Sequence, residues 1–251
     1  MDGTSGTAWV TGAGSGIGRA LARRLAQTGW TVAASARTAR DLDTLAAEVP
    51  GKITAFQLDV TDAAACAETA RQIEAALGPV DLAVFNAGSY FPTTAEDFSV
   101  ENFRRTVNVN LMGEVNCMGG VVPSMRARRA GHIVLMGSLT GLVGLPTAAS
   151  YGATKAALNS IAQAFKPDFE RFGITISVIN PGFVKTPLTD KNRFPMPFLI
   201  SVDAAVDHIL RGIARQRFDI SFPWQMSFLV RLLAALPDRA KFAITRRMLP
   251  R

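Results

Sequence analysis

Apolar and polar positions alternate between two regimes along this chain. Short apolar runs give way to longer stretches with apolar residues at three- and four-residue spacing, and then the runs return. That alternation predicts strands and helices of an α/β protein with a parallel sheet. The runs predict strands over Thr7–Thr11, Thr31–Ala36, Ile53–Val60, Val80–Phe85, His132–Met136 and Ile174–Ile179. Phe218–Phe222 alternates apolar and polar residues, as a strand near a sheet edge does. Helical patterns follow the first strand to about Gly29 and lie near 41–49, 62–77, 100–129, 151–172 and 202–216. Most of the runs are nearly continuous, which suits strands buried on both faces. Without a repeat or a flexible linker, the expectation is one doubly wound domain over residues 1–251, of about seven strands with helices on both faces.

Composition narrows the chemistry. The 251 residues are 48% hydrophobic, enough for a large core, and include two cysteines and two histidines. Cys66 and Cys117 read as small apolar fillers in a reducing compartment, and no Cys/His cluster offers a zinc site, so no metal is expected. The start of the chain has no signal-peptide pattern, and no apolar run is long enough to span a bilayer; a cytoplasmic protein is expected. The net charge is +7, yet eight basic residues between Arg215 and Arg251 against Asp219 and Asp238 place +6 of it in one apolar tail. That distribution argues against nucleic acid as a partner and for a subunit or peripheral membrane contact.

Two segments carry candidate chemistry. Thr11-Gly12-Ala13-Gly14-Ser15-Gly16-Ile17-Gly18 lies where the first strand meets the first helix. Glycines there let backbone N–H groups approach a pyrophosphate at a helix N-terminus. The spacing is Gly12-x-x-x-Gly16-x-Gly18; the G-x-G-x-x-G fingerprint fits in neither register, ending on Ile17 or on Arg19. After the second strand comes Ala36-Arg37, with no carboxylate before Asp41. A guanidinium there favours a 2′-phosphate, hence NADP(H) over NAD(H), with a solvated loop charge as the alternative. In Tyr151-Gly152-Ala153-Thr154-Lys155, positions i and i+4 share a helix face, so the ammonium can lower the phenol pKa toward neutral. The Ser138 hydroxyl, at the end of the fifth strand, can bond the same carbonyl oxygen.

Together these motifs resemble the short-chain dehydrogenase/reductase family, and nearly the whole chain follows its order. Gly12, Ser15, Gly16, Ile17 and Gly18 match its cofactor loop, and Asp59-Val60 its adenine-facing pair. Asn86-Ala87-Gly88 matches the motif closing the fourth strand, Asn110 the helix asparagine, and Pro181-Gly182 with Val184 and Thr186 the nicotinamide segment. The resemblance implies a Rossmann-type fold and direct hydride transfer between a nicotinamide and a ketone, aldehyde or alcohol. Tyr151 would exchange the proton, Lys155 would lower its pKa and hold the nicotinamide ribose, and Ser138 would orient the oxygen. Asn110 would hold a water in a relay from Lys155. A homodimer or homotetramer is implied as well. The alternative is a nucleotide-binding sensor without turnover.

Several features stand outside the motifs. Lys166-Pro167 falls within the helix that Tyr151 begins and should kink or end it. Tyr90, Ser89 and Leu139 are candidate pocket liners, whereas His132 reads as a structural hydrogen-bonder. The loop 187–201, with Phe194, Met196, Phe198 and Leu199, is apolar, which suggests a lipophilic substrate with packing as the alternative, and the resemblance implies a substrate lid at this place after the Pro-Gly segment. In the tail from Trp224, Asp238 could cap a short helix with Ala240, Ile244 and Met248 on one face. Subunit contact, pocket cover and membrane foot compete for this tail, in that order.

Overall fold

The computed structural model describes residues 6–190 and 195–249; Phe194 and Arg251 lie outside them. Seven parallel strands form one sheet, in the order β3 (Ile53–Gln57), β2 (Thr31–Ala36), β1 (Thr7–Thr11), β4 (Val80–Phe85), β5 (Gly131–Met136), β6 (Ile174–Pro181) and β7 (Asp219–Phe222). The order reverses between β1 and β4, and the carboxyl ends of those strands open a crevice there. Gly12 and Asn86 flank it.

Alternate residues of each strand feed opposite faces, which explains the unbroken apolar runs. Ala8, Val10, Val32, Ala34, Leu82 and Val84 face α1 (Gly16–Gln27), α2 (Ala39–Glu48) and α7 (Val202–Ala214). Trp9, Ala33, Ala83, Phe85, Ile133 and Leu135 face α3 (Ala63–Leu77), α5 (Gly113–Arg128) and α6 (Ala149–Arg171). Buried Trp9 donates its indole N–H to Ser35 Oγ at 2.9 Å, so no polar atom of the ring is stranded.

Several boundaries differ from the sequence reading. β3 ends at Gln57 rather than Val60, because the Asp59 carboxylate accepts from the N–H and hydroxyl of Thr61 and folds the chain into a turn. The helical stretch near 100–129 is α4 (Val100–Val107), a π turn at Asn108–Met112, and α5. α6 reaches Arg171, in line with the pattern over 151–172, and Pro167 sits inside it without ending it. Gln163, whose carbonyl loses the Pro167 N–H, is exposed, so water can take its place. Asp238 does not cap: it is the first residue of α9 (Asp238–Thr245), follows Pro237 at the cap position, and accepts from Lys241 at 3.2 Å.

His132 and Ser177 pair across β5 and β6 at 2.7 Å. Ser177 spends its proton on the carbonyl of Arg217 at 2.7 Å, so His132 Nε2 must carry the hydrogen. Burial lowers the imidazole pKa from 6.5 to about 4. As pH falls, the unfolded chain takes up this proton first, so the neutral buried ring costs stability progressively from pH 6.5 down to about 4. The stability gap between wild type and His132→Gln should therefore shrink by about 3 kcal/mol across that window. Urea melts of both proteins at several pH values test this, and a pH-independent gap would refute it.

Candidate active site

The turn after β1 is shaped for close approach. Gly12 has φ +66°, and a Cβ there would lie 2.8 Å from Ala87 Cα. A Cβ on Gly18 would lie 2.4 Å from the Gly12 carbonyl oxygen. No side chain fits at either place, so the loop lies flat against α1. Ser15, the N-cap of α1, makes no side-chain capping bond, which leaves first-turn N–H groups for an anion. These features fit the pyrophosphate of a dinucleotide. Asn86 seals the opposite wall, donating from Nδ2 to the carbonyls of Thr11 (3.1 Å) and Gly12 (3.3 Å). The Thr11 hydroxyl accepts from the N–H groups of Asn86 and Ala87 at 3.0 and 3.2 Å. Thr186 lies against Gly16, its Cγ2 3.4 Å from where a side chain would start. Val184 is buried and bridges to Ile200 in the segment that follows Pro181-Gly182.

At the adenosine end, Arg37 is exposed, and its charge, with the Thr61 hydrogen bonds as the larger cause, holds the Asp59 carboxyl below its usual range. Val60 is buried beneath it and gives its carbonyl to Asn116 at 2.9 Å. Asp41 is closer than chain order suggested: its Oδ2 is 3.4 Å from the position a Cβ on Gly14 would take.

Ser138, Tyr151 and Lys155 converge at the carboxyl end of β5. A short 3₁₀ turn, Leu139–Gly141, follows Ser138 and presses on α6. A Cβ on Gly141 would lie 2.7 Å from the carbonyl carbon of Lys155, so this glycine sets the distance between the turn and the helix. The Lys155 ammonium is 5.7 Å from the centre of the Tyr151 ring. Tyr90 meets that ring edge-on, with centroids 5.4 Å apart, and its hydroxyl lies 3.2 Å from that of Thr147. Tyr90 thus walls the site.

One expectation about this group is corrected. The Tyr151 phenol is not lowered toward neutral: burial pushes its pKa up to about 12, against a smaller opposing effect from hydrogen bonding to Ser138. Lys155 does not offset that rise, because its ammonium turns away to the carbonyl oxygen of Met136 (2.5 Å) and to Glu114 (3.5 Å). The Glu114 charge raises the phenol pKa further. Asn110 is buried in the π turn before α5. Its side chain bridges Ser89, accepting from the N–H at 2.7 Å and donating to the carbonyl at 2.8 Å, so it pins the loop that follows Gly88.

Glu114 is the residue that sequence reasoning missed. It is 1% exposed on α5, accepts from the Met136 N–H at 3.1 Å and faces Lys155, itself 2% exposed. Burial pushes its pKa up to about 8 against the pull of the ammonium, and burial likewise lowers that of Lys155. The available signal was a lone acid in the apolar stretch Leu111–Val122.

Above the site, α8 (Trp224–Ala235) lays Val230 and Leu233 on Leu139 and Val143. Met226 Cγ comes within 3.2 Å of a Cβ position on Gly182. In the preceding loop Phe198 and Leu199 are exposed and Met196 is half-buried.

Comparison with known proteins agrees with this architecture. The family model for short chain dehydrogenases matches residues 6–195. An uncharacterized oxidoreductase of Myxococcus xanthus is 38% identical over 96% of this chain and 97% of its own length. The 3-oxoacyl-[acyl-carrier-protein] reductase FabG of Thermotoga maritima is 34% identical, covering 72% of this chain and 75% of that protein. A short-chain dehydrogenase structure from Streptomyces avermitilis superposes with a TM-score of 0.85 at 25% identity, covering 97% of each chain. The chain belongs to the short-chain dehydrogenase family and is an NAD(P)-dependent dehydrogenase/reductase.

Proposed function

We propose that the protein reduces a lipophilic ketone or aldehyde with NADPH, using Tyr151 as the proton donor. The observation that carries this reading is the meeting of Tyr151, Ser138 and Lys155 at the mouth of the crevice, with the phenol held protonated at neutral pH. A protonated phenol is the form that can donate to a carbonyl oxygen as negative charge develops on it. Ser138 orients that oxygen. Asn110 acts at one remove, by holding the Ser89 loop in place. The cofactor, when bound, supplies the hydride to the carbonyl carbon. Gly12, Ser15, Gly16, Ile17 and Gly18 would cradle its pyrophosphate, with Asp59, Val60, Asn86, Ala87 and Gly88 along the crevice. Pro181, Gly182, Val184 and Thr186 would flank the nicotinamide, and Lys155 would meet its ribose. Leu139 and Val143, roofed by Met226, Val230 and Leu233 of α8, support an apolar substrate. The name of the Thermotoga relative, a 3-oxoacyl reductase, is in line with carbonyl reduction.

The deciding experiment follows NADPH and NADH oxidation over aliphatic, aromatic and lipid-like carbonyl compounds. Turnover with NADPH, rising with the apolar size of the substrate, is the expected result. Tight NADPH binding without consumption across the panel would replace this reading with a nucleotide-binding sensor. The cofactor preference has its own test. Arg37→Ala should raise KM for NADPH about tenfold, the worth of one charge-assisted phosphate contact, and leave NADH unaffected. Equal effects on both would mean that Arg37 does not read a 2′-phosphate.

A further inference from the structure

Helix α8 is apolar on two sides. Its inner side, Val230 and Leu233, is spent on the loop that follows Ser138. Its outer side carries Trp224, Phe228 and Leu232 at i, i+4 and i+8, respectively 73%, 61% and 51% exposed. Phe242 and Ile244 of α9, and Met248 and Leu249 after it, are exposed as well. Among the described residues no element covers the Trp224–Phe228–Leu232 stripe, and a run of large apolar side chains open to water marks a contact surface.

The charges around it select the occupant. Residues 224–249 hold five basic side chains, Arg231, Arg239, Lys241, Arg246 and Arg247, against Asp238 alone, a net charge of +4. Arg231 is paired with Asp219, and Lys241 with Asp238. Arg239, Arg246 and Arg247 are exposed, with no ion-pair partner among the described residues. A second copy docked through the same face would set two +4 surfaces against each other. Nucleic acid would answer the charge but leave the Trp224–Phe228–Leu232 stripe in water. An anionic bilayer surface answers both, taking the apolar side chains at the acyl boundary and the guanidinium groups among the headgroups.

We propose that the outward face of α8, with the basic segment that follows it, docks peripherally on anionic lipid bilayers. The contact is in-plane: no helix of the described residues is long and apolar enough to cross a membrane. This inference stands apart from the catalytic reading, since it uses the exposed Trp224, Phe228 and Leu232 and not the Met226, Val230 and Leu233 that pack over the site.

The test is co-sedimentation of the full chain with phosphatidylcholine vesicles, with and without phosphatidylglycerol. The wild type should sediment with the phosphatidylglycerol vesicles alone and come off in high salt. Each basic charge near such a surface is worth about fivefold in binding, so Arg239→Gln/Arg246→Gln/Arg247→Gln should weaken it roughly a hundredfold. Phe228→Ser/Leu232→Ser should abolish it while oligomeric state by light scattering stays unchanged. Both variants alter exposed side chains, and circular dichroism verifies that they fold. Sedimentation with neither vesicle, or equally with both, overturns the proposal. A change of oligomeric state in the Phe228/Leu232 variant overturns it too, and assigns the face to a second copy.

Discussion

Tyr151→Phe should lower turnover by about 10²–10⁴-fold, the usual worth of a positioned general acid, while cofactor binding persists. The change removes one oxygen and keeps the ring, so the edge contact with Tyr90 survives. A fold change is therefore not the expected cause of the loss. With its pKa pushed up to about 12, the phenol is protonated through the physiological range. Carbonyl reduction, which needs the protonated form, should be level around neutral pH. Alcohol oxidation needs the phenolate and should climb as pH rises toward that value. Steady-state rates in both directions, with nicotinamide fluorescence to follow binding, check these statements. A Phe variant retaining a tenth of wild-type activity would remove Tyr151 from the chemistry.

Glu114→Ala should be the most destabilising single substitution in the site, at about 3–5 kcal/mol. Removing one partner of a buried hydrogen-bonded pair leaves the other polar group unsatisfied, at about 1–3 kcal/mol for each group affected. Here it leaves the buried Met136 N–H without an acceptor and the buried Lys155 ammonium with the Met136 carbonyl alone. In a chain of this size that corresponds to a drop of roughly 10 °C in melting temperature. Glu114→Gln keeps an acceptor for the Met136 N–H and should cost distinctly less stability. Its loss of charge should still lower the Tyr151 pKa, moving the rise of alcohol oxidation to lower pH. Thermal melts and the pH profile separate the two effects. If Ala and Gln behave alike and both stay near wild type, Lys155 does not depend on this carboxylate.

Much of the architecture was legible because strand and helix periods are local properties. The alternation in Ala8-Trp9-Val10 and its counterparts carries both faces of the sheet in a few residues. Tyr151 and Lys155 were legible for the same reason, since a helix places i and i+4 together whatever surrounds it. Glu114 was not, because its partners Met136 and Lys155 lie 22 and 41 residues away and meet it only where α5, β5 and α6 pack. At Pro167 the local rule leaves a kink and an end open, and the exposure of Gln163 on α6, where water can replace the lost bond, lets the helix continue.

By itself, then, the sequence determined the strand and helix content, the glycine turn at the end of β1 and the pairing of phenol with ammonium on one helix. All of these follow from spacing along the backbone. Tertiary structure decided the protonation of the site, where burial and the Glu114 charge raise Tyr151 while Lys155 turns to Met136. It also divided α8 into a face that roofs Leu139 and a face left open. Periodicity reports that a side chain is apolar, but only packing between distant segments determines whether anything covers it, and how much water a charge retains.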